Sequence, residues 1–196
     1  MIKAFTVAVC ASGGGGNFQA LIDARKSQGF SISVLLTDRP CGSVDRAKAH
    51  GIPVAIHTGL KDEMAIVTAF SEDIPPTTDL IVLAGFMPII PKLLCERWQG
   101  KMINTHPSLL PKYGGRGMYG IRVQEAVLQA GEKYAGCTVH YVNDVIDGGA
   151  ILLQKSIAVD TTETAWQLGG RIFLEENKLL VKAVRQIQEN EQEKRK

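Results

Sequence analysis

Apolar residues along this chain fall into short continuous runs, separated by stretches in which they recur every three to four positions. That rhythm predicts strands alternating with amphipathic helices. The run Phe5–Cys10 is apolar on both faces, as a strand buried inside a parallel sheet must be. A helix is predicted over Asn17–Gln28, with Phe18, Leu21 and Ile22 on one face and Gly29 as its stop. Ile32–Thr37 reads as the second strand, Ser43 as the cap of a short helix ended by Gly51, Pro53–Ile56 as the third strand and Lys61–Phe70 as the third helix. After a PPTT turn at 75–78, Asp79–Ala84 reads as a central strand that runs into Gly85-Phe86-Met87, where the carboxyl edge of a sheet should lie. Pro91 then opens a fourth helix and Gly100 closes it.

Past residue 100 the pattern changes. Met102–Thr105, Cys137–Val142 and Ile151–Val159 read as strands joined by loops and by one helix around Ile121–Gln129, so the sheet becomes mixed. A last helix is predicted from about Thr162 to Ile187, carrying Ile172, Leu179, Leu180, Ala183 and Ile187 on one stripe, with ENEQEKRK as a solvated, frayed end. The expected fold class is α/β: a Rossmann-like mixed sheet, mostly parallel in its N-terminal half, with helices on both faces. No linker, repeat or low-complexity block interrupts it, so residues 1–196 are expected to form a single domain.

Composition narrows the function. A 45% hydrophobic and 21% charged chain is ordinary for a soluble globular protein. Lys plus Arg at 22 against Asp plus Glu at 20 leaves a net charge of +2, too even for the basic face that phosphate backbones require, so no nucleic-acid partner is expected. No apolar run approaches the roughly 18–20 residues of a membrane span, and the start MIKAFTVAVCAS lacks the pattern of a secretory signal, so a cytoplasmic protein without a membrane partner is expected. Cys10, Cys41, Cys95 and Cys137 are scattered without a CxxC and read as buried reduced thiols. His50, His57, His106 and His140 form no HxxxH or HExxH pair, so no metal is expected. The 20 glycines exceed the usual share of about 7%, and they cluster.

Three segments could carry chemistry. In Ser12-Gly13-Gly14-Gly15-Gly16-Asn17, glycines let backbone N–H groups approach an anion at a helix N-terminus, which suits a phosphate. No Gly-Lys-Ser/Thr follows, so it is not a Walker loop, and Phe18 stands where a dinucleotide fingerprint needs its third glycine, although Asp38 lies about where a ribose-binding acid would. A tight strand-to-helix turn would need only one or two glycines, so four in a row favour phosphate binding. In Ile103-Asn104-Thr105-His106-Pro107-Ser108-Leu109-Leu110-Pro111, Asn104 and His106 sit two apart on a strand and share a face, so an amide and an imidazole could stabilise an oxyanion and hand over a proton. A hydrogen-bonded histidine beside a proline turn fits those residues equally. In Asn143-Asp144-Val145-Ile146-Asp147-Gly148-Gly149, an acid ahead of Gly-Gly is either an Asx-turn former or a partner for His106 that would raise the imidazole pKa.

SGGGGN, DLIVLAGFM, INTHPSLLP and DxxDGG, in this order over nearly the whole chain, resemble the folate-dependent formyltransferases. The resemblance implies the formyltransferase fold and transfer of a formyl group from 10-formyltetrahydrofolate, the co-substrate, to the amine of glycinamide ribonucleotide in purine synthesis. The extra domains of tRNA-formylating and folate-hydrolysing relatives are not expected in 196 residues. By the resemblance, Asn104, His106 and Asp147 match catalytic positions. Gly15, Gly16 and Asn17 match the phosphoribosyl site, Met87, Pro88, Ile89 and Ile90 (with Asn104) the folate pocket, and Glu176 the acid that meets the glycinamide end. Ile172, Glu176 and Leu180 step by four along one helical face, so an acid in that stripe independently asks for an explanation; a rim position or a salt bridge with Arg171 would supply one too. His140 and Asp144 are expected in supporting roles.

Departures from the family pattern are specific. Gly16 stands where many relatives have Ser, Pro88 where an Arg is common, and Lys112–Gly120, KYGGRGMYG, is a glycine-rich loop expected to be mobile, with Arg116 able to reach an anionic substrate on closure. The expected mechanism is direct transfer: protonated His106 and Asn104 stabilise the oxygen of the attacked carbonyl, Asp147 raises the His106 pKa, and no covalent enzyme intermediate forms. A formyltransferase acting on an amino-sugar nucleotide would share Asn104, His106 and Asp147 without needing Glu176. A non-catalytic nucleotide-binding module would need only the glycine loop. Either a monomer or a homodimer is compatible with the sequence.

Overall fold

A computed structural model describes residues 4–60 and 62–194. Residues 1–3 and 195–196, and Lys61 where the third predicted helix opens, lie outside the described residues. The elements run β1 (Phe5–Cys10), α1 (Gly16–Gln28), β2 (Phe30–Thr37), α2 (Gly42–Ala49), β3 (Val54–Ile56), α3 (Glu63–Asp73), β4 (Leu80–Leu83), α4 (Lys92–Arg97), β5 (Met102–His106), α5 (Ile121–Gln129), β6 (Tyr134–Tyr141), β7 (Ile151–Ala158) and α6 (Ala165–Lys194). All seven strands join one sheet in the order β3-β2-β1-β4-β5-β6-β7. β1 to β5 pair in parallel, while β6 runs antiparallel to β5 and β7 antiparallel to β6. The sheet is therefore mixed and mostly parallel, as the sequence pattern implies.

β1 is apolar on both faces because both are covered. Phe5, Val7, Val9 and Ala11 face a core shared with Phe18, Leu21 and Ile22 of α1 and with Ile172, Leu180, Ala183 and Val184 of α6. Ala8 and Cys10 face the opposite core, with Ile66 and Phe70 of α3 and Leu94 of α4. Each fully buried side chain of this size contributes roughly 1.5–3 kcal/mol, so the continuous run in β1 anchors both layers.

Element boundaries depart from the sequence reading where side chains find other partners. Ser43 lies inside the first turn of α2 and does not cap it; its hydroxyl donates to the Gly13 carbonyl at 2.8 Å, tying α2 to the glycine loop. α3 is capped by Asp62, whose Oδ1 accepts from Ala65 N at 2.8 Å, and it runs on to Asp73. α6 starts later than predicted: Thr164 N–H donates to Gln167 Oε1 and Gln167 N–H to Thr164 Oγ1, a reciprocal cap ahead of Ala165. It also ends later. The polar tail stays helical through Lys194, since Glu, Gln and Lys are good helix formers and pairs such as Arg185–Glu189 and Lys194–Glu191 line it.

Parallel strands emit their loops at one edge. The carboxyl ends of β1, β4 and β5 therefore bring the glycine loop, Gly85–Ile90 and Asn104–His106 together, at the place where open α/β sheets bind ligands.

Candidate active site

Asn104 and His106 project from the end of β5 into a cavity of about 700 Å3, a size suited to a small organic ligand. β6 pairs antiparallel beside them and sets His140 opposite Asn104. The Nδ1–H of His140 donates to the Tyr141 carbonyl at 2.9 Å, which leaves its Nε2 to accept from the Asn104 amide at 3.2 Å. That contact orients the amide and keeps its second N–H for a ligand. The loop after β6 then returns Asp147 to this point. Its Oδ2 lies 3.6 Å from His106 Nδ1 and its Oδ1 3.6 Å from His140 Nε2. Asp147 holds φ 55°, a left-handed backbone that costs any residue but Gly, Asn or Asp appreciably.

Electrostatics here correct one expectation. Burial alone would lift the Asp147 carboxyl, but the proximity of His140, the charge of His106 and the Gly115 N–H together hold it below the usual carboxylate range. The imidazole behaves differently. Burial pulls His106 below the usual histidine range, outweighing the upward push of Asp147 and of the Tyr113 carbonyl, and His140 lowers it further. Asp147 does push the His106 pKa up, yet it does not keep the imidazole above its ordinary value, because the side chain is only 6% exposed and its charged form has lost its water.

The loop 112–120 is latched onto this pair. His106 Nε2–H donates to the Tyr113 carbonyl at 2.8 Å, and Gly115 N–H donates to Asp147 Oδ2 at 2.9 Å. Tyr113 has φ 56°, and its phenol donates to Glu132 at 2.9 Å. The segment expected to be mobile thus occupies the hydrogen-bonding positions of both His106 and Asp147.

Glu176 lies in the buried stripe of α6. Its Oε1 accepts from Asn17 Nδ2 at 2.8 Å and from Thr105 Oγ1 at 2.9 Å. Burial lifts its carboxyl above the usual range against both hydrogen bonds. Arg171 does not explain this acid, since it pairs with Glu163 at 2.7 Å. Asn17 is the second residue of α1, and its Oδ1 is buried without a partner. In the loop before it, Gly13 O accepts from Ser43, Gly14 O from Arg46 at 2.7 Å and Gly15 O from Gln19 N at 2.8 Å. With its carbonyls so engaged, the loop is fixed in the form that presents N–H groups at a helix start. Gly15 needs glycine for its φ of 74°.

Met87, Pro88, Ile89 and Ile90 line one wall of the cavity and Val142–Ile146 another, while Met87 N–H donates to Ser12 Oγ at 2.9 Å and so joins this wall to the glycine loop. The structure brings His106, Asn104, Asp147, Glu176 and residues 87–90 to one cavity. It places Gly15 and Gly16 outside the cavity lining, joined to it through the Asn17–Glu176 bond. Thr105, the Tyr113 carbonyl and Phe173, whose ring packs on Gly16, were not singled out from sequence. Phe173 was within reach, because it precedes Glu176 by three positions on the same helix. Among the described residues, no group of three or more His, Cys, Asp or Glu could hold a metal ion.

A mixed sheet with an amide, an imidazole and a carboxylate gathered at the carboxyl edge of its central strands belongs to a known class of group-transfer proteins. The sequence pattern of the formyl transferase family matches residues 5–184, and the chain belongs to that family. It is 36% identical over 186 residues to the phosphoribosylglycinamide formyltransferase of Bacillus subtilis (strain 168), covering 92% of this chain and 93% of that one. It is also 36% identical over 185 residues to the chloroplastic phosphoribosylglycinamide formyltransferase of Arabidopsis thaliana, with 91% of this chain covered, and it spans 63% of the length of that plant relative. The crystal structure of glycinamide ribonucleotide transformylase 1 from Symbiobacterium toebii superposes with a TM-score of 0.85 at 30% identity, over 93% of this chain and 86% of that one.

Proposed function

We propose that the protein transfers the formyl group of 10-formyltetrahydrofolate to the amine of glycinamide ribonucleotide, a step of purine biosynthesis. The observation that carries this reading is the Asn104–His106–Asp147 cluster at the base of a largely apolar cavity, with the buried Glu176 joining that cavity to the glycine loop. The names of the bacterial and plant relatives support the choice of substrates.

The folate supplies an activated formyl carbon and a nitrogen leaving group; Met87–Ile90 and Val142–Ile146 provide an apolar slot for its ring system. The N–H groups of Gly15, Gly16 and Asn17 take the phosphoribosyl end of the acceptor. Glu176 Oε2, the oxygen not used by Asn17 and Thr105, takes the glycinamide end. The amine attacks the formyl carbon, and negative charge grows on the formyl oxygen. The free N–H of Asn104 and the Nε2–H of His106, released from the Tyr113 carbonyl, donate to that oxygen. As charge grows there, the ionised Asp147 makes protonation of His106 progressively favourable; the attacking amine gives up a proton, which His106 or a water passes to the folate nitrogen as its bond to the formyl carbon breaks. The transfer is direct. Three of the four thiols are buried, and Ser108 Oγ is spent on the Lys112 carbonyl at 2.6 Å.

One assay tests the reading: incubate the protein with 10-formyltetrahydrofolate and glycinamide ribonucleotide and follow tetrahydrofolate release. Turnover is expected. A folded protein that binds both ligands without turnover overturns the reading, and turnover only with an amino-sugar nucleotide moves it to that acceptor. We also read residues 1–196 as one domain, supported by the single sheet, working in the cytoplasm as a monomer or homodimer; among the described residues no helix is long and apolar enough to cross a membrane.

A further inference from the structure

β5 serves the cavity with both of its faces. Met102, Asn104 and His106 alternate onto one face, where Met102 packs in the core shared with α3 and α4. Ile103 and Thr105 fall on the other, and Ile103 belongs to the core shared with α1 and α6. Thr105 is only 6% exposed, and its hydroxyl reaches across to α6, donating to Glu176 Oε1 at 2.9 Å. From α1, Asn17 Nδ2 donates to the same oxygen at 2.8 Å. Two elements thus hold Oε1, and Oε2 is left for the cavity that Thr105 and Glu176 both line. A buried Asn, Thr and Glu gain little stability over apolar residues of the same shape. What the set does supply is a carboxylate fixed in one position.

We propose that Thr105 is a positioning residue for the acceptor: through Glu176 it sets where Oε2 stands relative to Asn104 and His106, its neighbours on the strand. The inference rests on the proposed function, in which Glu176 holds the glycinamide end. One rigid strand then carries both the donors to the formyl oxygen and the hydroxyl that steadies the holder of the amine, so the two reacting groups are registered against each other. The hydroxyl also favours the ionised carboxyl. Burial drives Glu176 toward its neutral form, and the Thr105 and Asn17 donors oppose it. Both of these donors are uncharged. β6 adds the Cys137 thiol, which burial pushes up to about 12 and so keeps neutral, and Lys155 of β7 acts on the adjacent Glu175. The ionisable side chains that share the cavity with Glu176 are Arg116, Arg122, His106, His140, Asp144 and Asp147.

The test measures kcat and both KM values across pH in the natural protein, Thr105→Val, Thr105→Ala and Thr105→Ser, with folding checked by circular dichroism. Thr105→Val keeps the shape and loses the hydroxyl. Its KM for glycinamide ribonucleotide should rise about tenfold, the worth of one hydrogen bond to a charged group, while KM for 10-formyltetrahydrofolate stays unchanged. The rise should shrink from neutral to alkaline pH, where a carboxyl with one donor fewer becomes ionised again. Thr105→Ala should behave like Thr105→Val, and Thr105→Ser should recover most of the natural KM. A folded Thr105→Val or Thr105→Ala with the natural KM, a Thr105→Ser as impaired as Thr105→Val, or a rise equal for both substrates at every pH overturns the positioning role while leaving formyl transfer standing. Loss of folding in both Thr105→Val and Thr105→Ala makes the hydroxyl structural and overturns it too. A natural protein without formyl transfer overturns the proposed function itself.

Discussion

The Phe173 ring fills the space that any side chain at position 16 would need: a Cβ placed on Gly16 would fall against the ring edge. α6 thereby presses on the first residue of α1 and shapes the loop whose N–H groups face the proposed phosphate site. Gly16 is thus matched by an aromatic residue five helices further along the chain.

From that contact, Gly16→Ala should cost about 1–3 kcal/mol by overpacking, and the cost should nearly vanish on a Phe173→Ala background. Urea denaturation of the two single variants and the double variant measures the coupling. Additive effects would show that the ring swings away freely. KM for glycinamide ribonucleotide should rise in Gly16→Ala, because the loop must shift.

Glu176 carries a buried carboxyl whose folded pKa is raised by burial. The folded state then binds more protons than the unfolded one above the ordinary glutamate range, so stability is lost as pH rises from that range through the folded value. Glu176→Gln keeps an acceptor for Asn17 and Thr105 and removes the titration. At neutral pH it should be more stable than the natural protein, with the advantage shrinking toward pH 4. It should also bind glycinamide ribonucleotide more weakly. Equal pH dependence in the two proteins would refute the assignment.

His106 should titrate below the ordinary histidine range, and Asp147→Asn should lower it further by removing the carboxylate 3.6 Å from its Nδ1. An imidazole 13C or 15N titration reads both midpoints. The linked stability effect has the opposite sign to that of Glu176. With the folded pKa depressed, the unfolded chain takes up the proton first, so this contribution is complete above the ordinary histidine range and is lost as pH falls below it. His106→Ala and Asn104→Ala should each lower kcat by about 10²–10³, the usual value of one donor to a developing oxyanion.

The Gly115 N–H to Asp147 bond predicts a specific exchange pattern. The Gly115 amide should be protected from hydrogen exchange in the free protein and lose protection in Asp147→Ala. Substrate should also release the His106–Tyr113 contact, so the 112–120 loop should exchange faster when glycinamide ribonucleotide and a non-transferable folate analogue are bound. Unchanged protection on binding would mean that the latch stays closed during transfer.

Local patterning along the chain was enough to reveal much of this protein. Phe5–Cys10 could be read as a buried parallel strand because five of its six residues are apolar and they fall on both faces. A helix around Ile121–Gln129 could be read from its apolar period, and Asn104 and His106 could be set on one face by strand alternation alone. Glu176 stood out because a carboxylate interrupts an otherwise apolar stripe. Only the tertiary structure decided what those residues meet. It brought Asp147 to His106 across 41 positions and gave Asn104 its contact with His140. It settled the contest between Asp147 and burial at the imidazole, where desolvation depends on every neighbour and not on the nearest charge. It also closed the 112–120 loop onto the His106–Asp147 pair and set Phe173 on Gly16. Periodicity is a property of neighbours along the chain, whereas pKa, pairing and steric exclusion are set by neighbours in space, which residues far apart in sequence supply.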